Sequence, residues 1–136
     1  MIKYFVDTNI FVRYYLKDDA KLSSLAMEIV EGCVNGKYFL TICSTTFLEL
    51  SWILGSYYKQ PKNQIISFIE ELFKIENLIV IDRNLTSKML ATYNSANIDM
   101  TDSYFSALME QENIKEIFSF DRDFDKIKGI KRLEKW

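Results

Sequence analysis

Acidic residues stand at four separated places in the chain where their surroundings give them a chemical role. Asp7 ends the apolar segment 2–6, Glu49 lies between two leucines, Asp102 follows a helix-start signature, and the pair Asp121 and Asp123 ends another apolar segment. Carboxylates brought close together cannot all stay ionised unaided, so such a cluster raises some pKa values or binds divalent cations. An all-oxygen ligand set suits Mg²⁺ or Mn²⁺ rather than zinc.

Each acid also has a structural interpretation. Asp7 could simply cap a helix, Asp102 could complete a capping arrangement with Asp99, and residues 121–123 could form a solvated turn. Glu49 could occupy the polar edge of a wide apolar stripe. On an apolar helix, however, an ionised side chain is costly unless it is paired or metal-bound, so we expect Glu49 to be buried beside a partner.

The residues that the chain lacks exclude several kinds of site. It contains no histidine, which rules out a Ser/His/Asp triad, a Cys/His pair and histidine-based zinc or ribonuclease chemistry. Its four glycines are too scattered for a phosphate-binding loop or a dinucleotide fingerprint. The chemistry that remains is that of carboxylates, hydroxyls, lysines and hard cations held by oxygen.

Length and composition predict one globular domain, residues 1–136, in the cytoplasm. The chain is 49% hydrophobic, its two cysteines have apolar neighbours as reduced thiols do, and no apolar run is long enough for a bilayer. We therefore expect no membrane association. A net charge of −2 offers a polyanion no overall attraction, so any nucleic-acid binding depends on local basic patches and bound cations.

Strand and helix patterns alternate along the chain. Strands are predicted at 2–6, 38–43, 78–81, 116–120 and, at the edge, 130–133. Helices are predicted from the cap at 7–9 to about 16, and over 22–33, 44–54, 61–73, 85–93 and 99–110. This alternation indicates parallel pairing and an α/β fold, a three-layer α/β/α sandwich with a central, mainly parallel sheet. Functional groups gather at the carboxyl ends of such strands, where Asp7 and Asp121 fall.

Two surfaces are predicted from composition. The wide apolar stripe from Ile65 to Phe73 suggests a dimer contact or a groove for a partner helix. A basic C-terminal tail offers contacts to nucleic acid, although each residue could equally belong to a solvated surface. The tail residues are Lys126, Lys128, Lys131, Arg132 and Lys135.

Taken in order, these motifs resemble the PIN-domain nucleases, and within them the single-domain toxins of the VapC type. The resemblance covers nearly the whole chain. Its parts are Phe5-Val6-Asp7-Thr8-Asn9-Ile10, Thr46-Phe47-Leu48-Glu49-Leu50, Asp102-Ser103-Tyr104-Phe105-Ser106-Ala107 and Ser119-Phe120-Asp121-Arg122-Asp123-Phe124. The family more often has alanine or cysteine where this chain has Ser103, and commonly threonine where it has Ser119.

The resemblance implies a metal-dependent endoribonuclease using Mg²⁺ or Mn²⁺. Its metal-binding acids would be Asp7, Glu49, Asp102 and Asp121, and Asp123 would be an alternate ligand. Asn9 and Ser119 would support them. Toxins of this family usually form homodimers and are silenced by a cognate antitoxin, so the resemblance implies an RNA substrate and both protein partners.

Three other functions are compatible with parts of the pattern. The first is a non-catalytic PIN-like module that binds RNA or protein, against which the intact acids count. The second is a haloacid-dehalogenase-type phosphatase, which requires a second aspartate where this chain has Asn9. The third is a response-regulator receiver, which requires an aspartate at the end of its third strand, whereas the central region offers Glu49 inside a helix.

Overall fold

A computed structural model describes residues 1–136, which divide into two compact units, Met1–Ile81 and Asp82–Trp136. The first unit contains β1 (Lys3–Phe5), α1 (Thr8–Leu16), α2 (Ala20–Val34), β2 (Phe39–Ile42), α3 (Ser44–Trp52), α4 (Lys62–Phe73) and β3 (Leu78–Val80). The second contains α5 (Arg83–Ser95), α6 (Met100–Gln111), β4 (Glu116–Phe118) and β5 (Lys131–Leu133).

The first unit is built on a three-stranded parallel sheet in the order β1-β2-β3. Tyr4 pairs with Leu40, and Thr41 pairs with Ile79, so β2 lies in the middle. Two helices connect β1 to β2, and two more connect β2 to β3. Parallel neighbours need such crossovers because a tight turn cannot join them.

The buried apolar side chains of the first unit come from the central strand and the helices. They include Phe11, Val12, Val30, Leu40, Ile42, Phe47, Leu50, Leu54, Ile65, Ile69 and Leu72. The stripe on α4 is therefore largely buried in the chain itself: of its residues only Ile66 and Phe73 are half-buried. The prediction that this stripe is a free surface for a partner is wrong.

The helix predicted over 44–54 changes type near its end. The α-helical part ends at Trp52 and a π-helical turn follows over Ile53–Tyr57, with the Tyr58 N–H donating to the Ile53 carbonyl at 3.1 Å. The expected deep burial holds for Phe47, but Trp52 is 66% exposed. Less of this helix is therefore buried than its apolar sequence predicts.

In the second unit a two-stranded parallel sheet pairs β4 with β5, with Ile117 opposite Arg132. Their connection contains a 3-10 helix, Arg122–Lys126, where the sequence predicted an acidic turn. Phe124 anchors this helix in a small buried cluster with Ile98 and Ile127. The connection is thereby fixed to the unit on its apolar side.

Helices alternate with parallel strands throughout, which confirms the predicted α/β class. Most predicted elements are present with bounds shifted by one to three residues, the range in which helix and strand ends are ambiguous. No helix combines the length and the apolar character that crossing a membrane requires.

Candidate metal centre

Asp102 lies in the first turn of α6, and a different acid caps that helix. The carboxylate of Asp99, the N-cap residue, accepts a hydrogen bond from the Asp102 N–H at 2.8 Å. The Ser103 hydroxyl donates to the Asp99 carbonyl at 2.8 Å and reinforces the same turn. Asp99 therefore does the capping, and the carboxylate of Asp102 is not required for it.

Asp121 and Asp123 are held by a succession of local hydrogen bonds after β4. The Asp121 N–H donates to the Ser119 hydroxyl at 3.0 Å, and the Asp123 N–H donates to Asp121 Oδ1 at 2.9 Å. Short polar side chains commonly fold back on the backbone in this way and start a turn. The Ser119 hydroxyl thus holds the backbone at Asp121, while its role in supporting a bound metal stays a prediction.

Three of the predicted acids meet in the second unit. One carboxylate oxygen from each of Asp102, Asp121 and Asp123 lies within 4.8 Å of the other two. Sequence motifs assigned Asp123 only as an alternate ligand, whereas the structure gives it the same proximity as the other two. The Asp-x-Asp spacing at 121–123 is the sequence feature that could have identified Asp123 as a full member of the cluster.

Burial and charge act together on Asp102. Its residue surface is 8% exposed. Burial, then the negative charges of Asp99, Asp121 and Asp123, raise the pKa of Asp102 from 3.8 to about 6. A divalent cation beside these carboxylates would reverse that effect, because it stabilises the ionised forms.

A lysine that the motifs did not identify as part of the site lies against the cluster. Lys126 Nζ is 2.8 Å from Asp123 Oδ1 and donates to the Asn97 carbonyl at 3.0 Å. The three-residue separation of Asp123 and Lys126 on a helical turn was the available signal. Lys126 was predicted to contact RNA; its side chain is 45% exposed and its ammonium is paired with Asp123.

Arg132 was also predicted to contact RNA, and that prediction is wrong. Its side chain is 11% exposed, and its guanidinium is bound to Asp125 and Glu134. An additional hydrogen bond runs to the Ser119 carbonyl at 3.0 Å. The remaining tail lysines, Lys128, Lys131 and Lys135, are exposed.

Asp7 occupies the N-cap position of α1, but its side chain makes no capping hydrogen bond. Both Asp7 and Asn9 are exposed. The capping interpretation of Asp7 therefore finds no support in the hydrogen bonding, and its carboxylate remains available to a ligand. The assignment of Asp7 as a metal ligand, with Asn9 supporting it, stays a prediction.

Glu49 is exposed, so the expectation that it is buried beside a partner is wrong. Phe47 and Leu50 are fully buried on the other side of α3, because successive residues of a helix point about 100° apart and one residue in the apolar run must face outward. Its side chain forms no ion pair or hydrogen bond. The assignment of Glu49 as a ligand stays a prediction that rests on the motif.

Residues 4–130 match the PIN domain family, and the chain therefore belongs to this family. PIN domains are generally nucleases with an acidic metal site, and the Asp102, Asp121 and Asp123 cluster fits that description. Among curated proteins, none matches the chain.

The cluster also fits a divalent cation on its own chemistry. Three carboxylates supply the hard oxygen ligands that Mg²⁺ and Mn²⁺ prefer. Asp102 is buried beside other acids and has a raised pKa, a state that a bound cation would relieve. No sulfur or imidazole group belongs to the cluster.

Proposed function

We propose that the protein is a metal-dependent endoribonuclease that hydrolyses RNA phosphodiester bonds. The observation that carries this proposal is the convergence of Asp102, Asp121 and Asp123 carboxylate oxygens within 4.8 Å, in a chain that belongs to the PIN domain family. With no histidine in the sequence, carboxylates and a metal ion are the available means of activating water.

Asp102, Asp121 and Asp123 would hold the ion. A bound Mg²⁺ or Mn²⁺ supplies Lewis-acid activation of water and stabilises charge on a phosphodiester. The chain's own contribution is to fix these carboxylates before the ion arrives. Asp99 fixes the turn that carries Asp102, and Ser119 fixes the backbone at Asp121.

Asp7 and Glu49 are proposed as further metal-binding acids, and Asn9 as a residue that supports Asp7. Both acids are exposed and neither carboxylate has a partner within the protein, which leaves them free for an ion or its water ligands. We also propose that residues 1–136 act as one domain, since a single family match spans both compact units.

Cleavage of end-labelled single-stranded RNA tests the activity. We expect cleavage with Mg²⁺ or Mn²⁺, none with EDTA, and a loss of at least about 100-fold in Asp102→Asn, because removing a ligand costs no less than removing a group behind it. Glu112→Gln, which alters an exposed acid at the end of the same helix, serves as control. RNA binding without cleavage by the unaltered protein would identify a non-catalytic PIN-like module instead.

A finer proposal is that this nuclease is the toxin of a toxin-antitoxin pair, acting in the cytoplasm as a homodimer. The motif resemblance to VapC-type toxins supports it. Induced expression should arrest growth, and co-expression of a small protein encoded next to the gene should restore it. Growth unaffected by the active nuclease, or a strictly monomeric protein in sedimentation at micromolar concentration, would contradict the corresponding part.

A further inference from the structure

Arg132 connects three parts of the second unit. It lies in β5, opposite Ile117 of β4. Its Nε donates to Asp125 Oδ1 at 3.0 Å, and its Nη1 donates to Glu134 Oε1 at 2.6 Å and to the Ser119 carbonyl at 3.0 Å. The guanidinium thus ties β5 to the end of β4 and to the 3-10 helix that follows.

The burial of this side chain sets it apart from the other ion pairs. Arg132 is 11% exposed, whereas the basic side chains of the other ion pairs are between 32% and 71% exposed. A charge that is largely removed from water must be matched by well-placed acceptors. The planar fork of arginine reaches several acceptors at fixed angles, and the single ammonium of lysine does not.

Ser119 is the point at which Arg132 acts on the acidic residues. The Ser119 N–H donates to the Leu133 carbonyl at 3.0 Å, and the Ser119 carbonyl accepts from Arg132. Consecutive residues of β5 therefore hold Ser119 by both of its backbone groups. The Ser119 hydroxyl then accepts from Asp121, whose carboxylate accepts from the Asp123 N–H.

We propose that Arg132 is a positioning residue that shapes residues 119–123 for metal binding, an inference that rests on the proposed function. It fixes Ser119 at one end of the acidic segment and Asp125 at the other. The hydrogen bonds from Asp121 to Ser119 and from Asp123 to Asp121 then hold the backbone that places these two carboxylates beside Asp102.

The direction in which metal-ion affinity changes when Arg132 is replaced distinguishes a positioning role from simple electrostatics. Removing a positive charge near an acidic site removes its Coulomb repulsion of the metal ion, and that effect alone would strengthen cation binding. A positioning role predicts the opposite, because the carboxylates would be less well arranged. Arg132→Lys isolates geometry, since it keeps the charge and loses the fork.

Titration calorimetry with MnCl₂, well below the unfolding temperature, tests the proposal. We expect Arg132→Lys and Arg132→Met to weaken Mn²⁺ binding by about 10-fold, the usual effect of removing a group that orients metal ligands. Lys115→Met removes an exposed positive charge from the same unit and should leave the affinity unchanged or slightly higher. Glu134→Gln breaks one Arg132 ion pair but keeps the Ser119 contact, and should also retain Mn²⁺ binding.

A second measurement is made without metal. In ¹H–¹⁵N NMR spectra, the Asp121 and Asp123 amide signals should shift in Arg132→Lys and stay in place in Lys115→Met. Mn²⁺ affinity and amide signals that are the same in Arg132→Lys as in the unaltered protein would overturn the positioning role alone. Failure of the unaltered protein to bind Mn²⁺ would overturn the proposed function and this inference together.

Discussion

Asp102 is the residue at which burial and charge most strongly oppose ionisation. Its pKa is raised from 3.8 to about 6, first by burial and then by neighbouring acids. Because the folded-state pKa exceeds the unfolded one, the stability gained from protonating Asp102 is complete below pH 3.8 and is lost as the pH rises through about 6. Above that pH, the metal-free fold carries an unfavourable charge at this position.

Asp102→Asn removes that charge and should stabilise the metal-free protein at pH 7.5. We expect thermal unfolding in EDTA to occur about 3–6 °C higher than in the unaltered protein, the shift that ~1 kcal/mol produces in a domain of this size. The difference should shrink as the pH falls below 6 and disappear near pH 4, where Asp102 is neutral. Glu112→Gln is the control, and a difference that does not vary with pH would contradict the assignment.

Lys126 is paired with Asp123 and would compete with a metal ion bound there. Its ammonium lies 2.8 Å from Asp123 Oδ1, and the side chains of the pair are 45% and 41% exposed. Ion pairs this exposed contribute at most about 1 kcal/mol. Lys126→Gln should therefore tighten Mn²⁺ binding by up to about fivefold, less at high salt. Weaker binding in calorimetry, with Lys115→Met unchanged, would instead show that Lys126 helps to form the site.

At the residue scale, the motifs identified the acids that come together but not their surroundings. Asp102 and Asp121 were predicted, and Asp123 was considered an alternate. Glu49 shows that a short apolar run does not predict burial reliably. It was expected to be buried, but it faces outward from its helix. Exposure depends on how a helix is rotated against its neighbours, and a short apolar run does not determine that rotation.

At the scale of the element, α2 depends on the absence of a side chain at position 32. The hydroxyl and ring of Tyr38 lie where a Cβ on Gly32 would be, and the Tyr38 hydroxyl donates to the Ile29 carbonyl at 2.8 Å. Alanine usually favours a helix over glycine by about 1 kcal/mol. An added Cβ would displace Tyr38 and break its hydrogen bond to Ile29, and we expect that loss to outweigh the gain.

Gly32→Ala should destabilise the protein by about 1–3 kcal/mol, the usual cost of overpacking, as measured by urea unfolding. Gly55→Ala is the matched control, because its added Cβ would meet only Ile65 Cδ1, at 3.4 Å. In a Tyr38→Ala background the penalty of Gly32→Ala should disappear. A penalty that persists in that background would place its cause elsewhere.

The order of the elements could be predicted because hydrophobic periodicity changes between strand and helix along the chain. The π-helical turn at Ile53–Tyr57 could not, because residues 44–54 read as a continuous apolar helix and the change in hydrogen bonding has no signature in residue type. The 3-10 helix at Arg122–Lys126 was similarly read as a turn. Both short forms depend on packing around them.

At the scale of the whole molecule, a single family match over residues 4–130 spans both compact units. The boundary at Ile81 and Asp82 has no glycine-, proline- or serine-rich linker, so composition gave no sign of the division. Alternation of strands and helices gave the fold class. That alternation does not predict where the chain divides into compact units.

Asp7 is proposed as a further metal-binding acid, and its substitution tests that proposal. Asp7→Ala should reduce Mn²⁺-dependent cleavage by at least about 100-fold and leave thermal stability unchanged, because the Asp7 side chain makes no capping bond. If Asp7 were only a cap, alanine would cost about 1 kcal/mol of stability and cleavage would continue. Glu28→Gln, an exposed acid on α2, controls for charge.

The cap of α6 has a consequence for how this protein can vary. Asp99 accepts its hydrogen bond through an oxygen, which asparagine or serine could equally present, whereas its charge and its side-chain hydrogen bond with Asp102 both raise the pKa of Asp102. Replacing Asp99 by a neutral hydrogen-bond acceptor such as asparagine would lower the pKa of Asp102 and leave the helix intact. The capping of α6 and the pKa of Asp102 can therefore be changed independently at this one residue.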